Sequence, residues 1–473
     1  MEILMEKTFA IHTLGCKVNT YESDAMAEAL KNAGFTEKSF CGPADVYLIN
    51  TCTVTNIADR KSRQMLRRSR KMNPEALIVA AGCYVDDAIK NDALSKLISE
   101  GVIDLAISNR EKSKAAGMIL KKLSDRDEGL SGSRQNKQDG RSSFTGRDGE
   151  GFPAEPDEQR GELFPAEPDG QDSGLFLTEL DGHTRAFIKV QDGCNMFCTY
   201  CIIPYVRGRL NSRPNEESVR EIKRLAENGT AEVVLTGIHL SSMGDDLLRL
   251  IDAVQEIEGI KRIRLGSLEP TLINEHTVRA FKAADKLCPH FHLSLQSGSN
   301  AVLKRMNRHY TRERYLESCD VLRDFYEHPA ITTDIIVGFP GETEKEFEDT
   351  CDLAERAGFY EAHIFKYSRR KGTPADRMPE QITEAVKAER SDALSRITSR
   401  LSGEFRRHYL GKEVEFLSEE LINIGGKTYE TGFTKEYVRC LKESGKLHQN
   451  ELISGKASQI FYENFIDESI IIG

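Results

Sequence analysis

Tryptophan is absent from the 473 residues, and aromatic residues altogether reach only 7%. One common base-stacking side chain is therefore unavailable. Also lacking is any apolar stretch near the roughly 20 residues that cross a bilayer, and charged residues make up 30% of the chain. The N-terminus, MEILMEKTFAIHTLGCK, has neither the basic start nor the long apolar core of a secretory signal. A cytoplasmic chain without membrane association is expected. An overall basic excess is missing too, since the net charge is −10. That deficit is local: residues 125–180 carry −8 and residues 411–473 carry −4, which leaves +2 for the remainder. Global charge therefore does not exclude nucleic acid as a partner.

Cysteine is plentiful, at eleven residues, but too sparse for a disulfide framework in a chain this long. In a reducing compartment clustered cysteines bind metal or perform redox chemistry.

The length allows two to four domains, and the pattern divides the chain at three places. In residues 1–124 the apolar runs FAIHTLG, DVYLIN and ALIVAAG alternate with helical stretches such as Ser23 to Ala33 and Ala58 to Met72. This is the rhythm of a parallel αβ sheet. Cys16, Cys52 and Cys83 each follow one of the three strands, at the edge where open α/β sheets bind ligands. Residues 125–180 are acidic, poor in large apolar residues and contain FPAEPD twice, at 152–157 and 164–169. They read as a disordered acidic linker insert. Residues 181–410 repeat the β/α rhythm six times, with strands at RAFIKV, AEVVLTG, RIRLGS, FHLSLQSG, ITTDIIVGF and YEAHIFKY. An open (β/α)6 partial barrel follows, with chemistry at the strand C-termini. Residues 411–473 turn to short alternating runs and predict a small β-barrel.

Cys194, Cys198 and Cys201 lie in the loop after the first barrel strand, and no other Cys or His lies within ten residues on either side. A structural zinc site takes four closed ligands and usually draws cysteines in CxxC pairs. Three thiolates fit a [4Fe–4S] cluster better, leaving one iron open to a small chelating ligand. The remaining cysteines read differently. Cys288, Cys319, Cys351 and Cys440 sit in helical or strand patterns and predict core positions, and Cys41 falls in a turn.

CxxxCxxC after the first of six β/α units resembles the radical S-adenosylmethionine superfamily. TLGCKVNTYES, INTCTVT and AAGCY resemble the N-terminal domain of the methylthiotransferases, and GCKVNTYESD, NTCTVTNIADRKSRQMLRR and CIIPYVRGR resemble the type acting on tRNA N6-threonylcarbamoyladenosine (t6A). The resemblance spans nearly the whole chain outside the insert and implies a TRAM-type barrel at the end. It implies two [4Fe–4S] clusters, one on Cys16, Cys52 and Cys83 and one on Cys194, Cys198 and Cys201. One S-adenosylmethionine methylates a sulfur on the first; a second is cleaved at the other, and the methylthio group replaces hydrogen at C2 of the modified adenine. An external electron donor, the tRNA anticodon loop as partner and a monomeric chain are further expectations. Tyr200, Gly237, Ser294, Gln296 and Gly338 are the expected S-adenosylmethionine contacts, although core packing also accounts for Tyr200 and a tight turn for Gly338. No residue stands out as a catalytic acid, base or nucleophile.

From Arg60 to Lys71, seven of twelve residues are basic, and Arg207, Arg209 and Arg213 follow Cys201. Both runs are expected to meet phosphates. Two alternatives stand beside this reading. One is the same chemistry on an aspartate of a ribosomal protein; the other is a non-enzymatic zinc-binding RNA module.

Overall fold

Strands buried on both faces read as continuous apolar runs rather than alternating ones, and VYLINT and LIVAAG are buried along their whole length. They form the centre of the first of two units in the computed structural model, which describes residues 7–89, 92–132, 175–178, 184–463 and 466–473. The first unit comprises Met1–Phe176 with Arg370–Arg377; the second comprises Leu177–Arg369 with Met378–Gly473.

In the first unit β1 (Thr8–Thr13), β2 (Thr36–Glu37), β3 (Val46–Thr51), β4 (Leu77–Gly82) and β5 (Leu105–Ile107) form one parallel sheet in the order β2-β1-β3-β4-β5. The order reverses between β1 and β3, the crevice at which such sheets hold ligands. Helices α1 (Lys17–Asn32), α2 (Asn56–Met72), α3 (Cys83–Ile89), α4 (Ala93–Ser99) and α5 (Ala115–Gly132) connect and cover it. The sequence places the start of α1 at Ser23, but the helix begins at Lys17 with Cys16 as its N-cap residue. Val18 and Tyr21 are buried on the same face as Ala25, so the apolar stripe starts one and a half turns earlier. Helix α5 likewise runs past the Asp125 boundary. Residues 133–174, with both FPAEPD copies, lie outside the described residues.

In the second unit all six expected strands form: β6 (Arg185–Asp192), β8 (Glu232–Gly237), β9 (Arg262–Leu265), β10 (His290–His292), β11 (Ala330–Val337) and β12 (Glu361–Lys366). They run parallel in sequence order, and a two-residue strand, β7 (Asn211–Ser212), pairs antiparallel with β6. Single bridges at Ile263–Leu287 and Leu268–Leu293 join β9 to the β10 region, giving a half-barrel. The C-terminal segment closes into a five-stranded barrel of β13 (Glu413–Ile424), β14 (Lys427–Phe433), β15 (Arg439–Glu443), β16 (Leu452–Glu463) and β17 (Ile466–Ile472). The run KTYETGFTKEYVRCLKE is two strands, because Thr434 accepts its own return bond from Val438 across a turn.

The small barrel packs on the N-terminal ends of the half-barrel strands. Ala330 and Tyr360 share a core with Phe416, Val438, Cys440 and Ile470. Arg262 and Arg264 donate to carbonyls of Phe433, Thr434 and Lys435. Glu232, fully buried, pairs with Arg185 and Arg264. The strand C-termini of the half-barrel, where the second cysteine triad lies, are thus at the opposite end.

Candidate metal centres and cofactor site

The three cysteines of the first unit follow three strands adjacent in the sheet. Cys16 caps α1, Cys52 immediately follows β3, and Cys83 is the first residue of α3 after β4. Gly15 (φ +108°) brings its backbone so close that a Cβ would lie 2.9 Å from Cys52 Cβ and 3.0 Å from its sulfur. Burial pushes the Cys52 thiol up to about 11, and Cys83, Cys16 and Asp59 push the same way. A metal at the site would reverse that effect by deprotonating its thiol ligands. Below the triad Lys112 and Glu22 form a fully buried ion pair, with the Lys112 ammonium 3.2 Å from where a Cβ on Gly82 would stand.

Arg370, missed in the sequence, locks the two loops that carry Cys52 and Cys83. It donates to Asp59 (2.7 Å), Asn56 (3.1 Å), Thr53 (2.7 Å) and Asp87 (2.8 Å) and is only 4% exposed. Thr53 follows Cys52, and Asp87 lies one turn along α3 from Cys83. The only local signal was the basic run RRK before the GTP turn in YSRRKGTPA.

The second triad sits in a loop fixed at both ends. Gly193 (φ +67°) must be glycine, since a Cβ would stand 1.9 Å from the Arg209 carbonyl oxygen. Cys194 N–H donates to Gly208 (3.2 Å) and Cys201 N–H to Cys198 (2.9 Å). Thr199 N–H donates to Met306 (3.0 Å), while Asn307 donates to the carbonyls of Met196 and Phe197 (3.2 Å each). Burial pushes Cys201 up to about 12, helped by Cys198, and raises Cys194 as well. None of the eleven cysteines is in a disulfide.

Arg308 Nη1 donates to Cys198 Sγ at 3.2 Å. Its Nη2 donates to both Glu269 oxygens at 2.6 and 2.7 Å, and its Nε donates to the Tyr310 hydroxyl at 3.1 Å. Nearby, His239 Nδ1 is buried without a partner among the described residues, and burial lowers its pKa while Glu269 opposes. Three reduced thiols, a cationic N–H donor aimed at one sulfur and an orphaned imidazole nitrogen suit an anionic cluster with a polar ligand. The residues present fit a [4Fe–4S] centre and S-adenosylmethionine.

The expected S-adenosylmethionine contacts divide. Tyr200 is partly exposed and meets the buried Phe339 edge-on at 6.5 Å. Ser294 and Gln296 continue β10 toward the cysteine end, and Gln296 holds φ +65° with its N–H on the Asp334 carbonyl. The close approaches at the two glycines are made by the chain itself. A Cβ on Gly237 would meet Gln191 Oε1 at 2.8 Å, and a Cβ on Gly338 (φ +71°) would meet Lys387 Cγ at 2.3 Å.

The basic residues also divide. Arg207 and Arg213 are not available to phosphate. Arg207 is buried against both oxygens of Asp192 (3.0 Å each), and Arg213 pairs with Glu217 and Glu221. In α2, Arg70 donates to three carbonyls and Asp104, and Arg67 pairs with Glu100. Arg60, Lys61, Arg68 and Lys71 remain exposed along that helix, as does Arg209 in the cysteine loop. Cys288, Cys319 and Cys440 are core residues, and Cys41 lies exposed in a turn.

Comparison with known proteins agrees with this geometry. Residues 188–354 match the Radical SAM superfamily, and residues 8–103 match the uncharacterized protein family UPF0004. The chain is 36% identical to the threonylcarbamoyladenosine tRNA methylthiotransferase MtaB of Bacillus subtilis (strain 168), over 92% of this chain and 90% of that one. It is 36% identical to the MtaB of Aquifex aeolicus (89% and 97%). It is 32% identical to the tRNA-2-methylthio-N(6)-dimethylallyladenosine synthase of Caldicellulosiruptor saccharolyticus (98% and 90%). Among solved structures, the radical S-adenosylmethionine methyltransferase TsrM of Kitasatospora setae aligns over 79% of this chain and 74% of that one, with TM-score 0.53 and 15% identity. That likeness concerns the fold alone.

Proposed function

Because the chain belongs to the radical S-adenosylmethionine tRNA methylthiotransferase family, we propose that it adds a methylthio group to C2 of N6-threonylcarbamoyladenosine beside the anticodon of tRNA. The reading rests above all on the two cysteine triads, each at the C-terminal edge of its own parallel sheet. Cys16, Cys52 and Cys83 would hold one [4Fe–4S] cluster, and Cys194, Cys198 and Cys201 the other. When bound, the clusters and S-adenosylmethionine supply the sulfur, the methyl group and the hydrogen abstraction.

The protein's own residues do the rest. Gly15 and Gly193 allow the tight loops that gather the thiols. Arg370 fixes the loops of Cys52 and Cys83, and Arg308 places a positive N–H donor on Cys198. Exposed cations on α2 suit an RNA backbone. The chain's identity to t6A enzymes and to dimethylallyladenosine enzymes is similar, so the N6 substituent is the finer part of the proposal.

Anaerobically reconstituted enzyme should methylthiolate tRNA bearing t6A and leave ribosomes unmodified. A methylthio aspartate on a ribosomal protein, with none on the nucleoside, would overturn the assignment. Replacing Cys194, Cys198 and Cys201 by Ala should abolish S-adenosylmethionine cleavage. Replacing Cys16, Cys52 and Cys83 should leave cleavage but no methylthiolation. Each triple variant should hold about half the wild-type iron if each triad carries one cubane; full iron in either would rule out two clusters.

A further inference from the structure

Side chains alternate across a strand, and the two faces of β10–β12 differ sharply. Phe291, Leu293, Ile331, Ile335 and Val337 are at most 1% exposed and face the covering helices. The opposite, inner face of the half-barrel carries polar groups. Register places His292 beside Thr332, and Asp334 beside His363. His292 Nδ1 lies 3.0 Å from Thr332 Oγ1, and its Nε2 lies 3.4 Å from Asp334 Oδ2. The His292 and His363 rings are nearly parallel, with centroids 5.9 Å apart. One ligand atom each from His292, Asp334 and His363 falls within 4.8 Å of the others.

We infer that His292, Asp334 and His363 form the subsite that reads the substituent on N6 of the target adenosine, selecting a polar, carboxylate-bearing group over a hydrocarbon one. This rests on the proposed function and names the part of the site that sets its substrate. Three observations carry it. The patch lies on the inner face, on the same face as Ser294 and about 7 Å below it, one two-residue step from the cysteine end of the barrel. The His292 ring is oriented by its Nδ1 contact with Thr332, which turns Nε2 toward Asp334. The patch presents a carboxylate acceptor beside imidazoles. A threonylcarbamoyl group offers matching chemistry, with N–H and hydroxyl donors and a carboxylate acceptor. A dimethylallyl group, the substituent named for some of the chain's relatives, offers neither donor nor acceptor. It would displace water from the partly exposed Asp334 and His363 and return no hydrogen bond, and sites of this kind disfavour such analogues.

Two imidazoles and a carboxylate are also donors to divalent metals. However, a structural zinc site takes four protein ligands, and three donors gather here among the described residues.

The test uses full-length enzyme with both clusters loaded. Affinity is measured anaerobically for anticodon stem-loops that carry threonylcarbamoyladenosine, dimethylallyladenosine or plain adenosine. Wild type should favour the threonylcarbamoyl stem-loop by at least about tenfold, the value of one charge-assisted hydrogen bond. His363→Phe and Asp334→Asn should each lower that preference about tenfold, and His363→Phe should improve dimethylallyl binding. Iron content equal to wild type checks that each variant is folded. If wild type shows the preference and both variants keep it, the inference falls while the functional reading stands. If wild type prefers the dimethylallyl stem-loop, both fall. Stoichiometric zinc that disappears in the variants, with preference unchanged, would also overturn the inference.

Discussion

Arg308 shows how one residue can determine the behaviour of a cofactor site without lying near it in sequence. All three guanidinium nitrogens are engaged, on Cys198, Glu269 and Tyr310, and the side chain is 5% exposed. A donor to a cluster sulfur stabilises the reduced, more negative state, one of the means by which proteins set cluster potentials. Lysine keeps the charge but not the planar fork, so it cannot serve three acceptors in different directions. Arg308→Lys should therefore retain iron yet show a more negative midpoint potential and at least about tenfold slower S-adenosylmethionine cleavage with a weak reductant. Spectroelectrochemistry gives the potential; an unchanged value would separate Arg308 from cluster tuning. Neither NRHYT nor SLEP signals this role in the sequence, because the contact spans 110 residues.

Among the elements, the strands were the most legible. β3 and β4 are buried along their whole length, and six β/α units, the first leading into CxxxCxxC, give a rhythm that fits a parallel half-barrel. The triads were legible for the same reason, since each cysteine marks a strand end. What sequence could not supply was the pairing of charge. Arg207 and Arg213 look like phosphate ligands in a row of basic residues, yet Asp192, Glu217 and Glu221 fold back to bury them. The early start of α1 escaped because its apolar positions are mixed with acidic and polar ones. Arg370 is the clearest case. It ties the first turn of α2 to α3 through Asp59 and Asp87, which are themselves mostly buried. Arg370→Met would remove the guanidinium that two mostly buried carboxylates share, a loss on the order of 3–5 kcal/mol for a buried pair. Urea unfolding should register that loss. Iron should fall toward half of wild type, with the missing share from the N-terminal triad. Full iron with unchanged stability would show that the cysteine loops hold without it.

On the scale of the whole chain, charge does two separate jobs. Where the small barrel meets the half-barrel, burial pushes the Glu232 carboxyl up, but Arg264 and Arg185 outweigh it and bring it down from its usual 4.5 to about 2. Glu419 pairs with the same Arg185, but there burial, helped by the neighbouring Glu232, outweighs Arg185 and Arg264 and raises it. A depressed carboxyl stabilises the fold above its unfolded value and loses that contribution as pH falls toward about 2. Acid unfolding should thus be steep between about pH 4.5 and 2, and Glu232→Gln should flatten that limb. The second job that we propose is RNA attraction, for which the net charge of −10 is a poor guide. The exposed cations of α2 are Arg60, Lys61, Arg68 and Lys71. Each phosphate contact removed should lower the log–log salt slope of tRNA binding by about 0.7 on single-stranded RNA. Neutralising Arg60, Lys61 and Arg68 together should reduce the slope by about 2 and leave thermal stability unchanged, because these side chains extend into solvent. Arg207→Gln should do the reverse, since it removes the buried guanidinium that grips both Asp192 oxygens beside the cysteine loop: stability and iron content fall while the salt slope stays. Anisotropy titrations from low to high salt, run beside thermal melts, distinguish the two outcomes. An unchanged slope in the triple α2 variant would remove this helix from the RNA-binding surface.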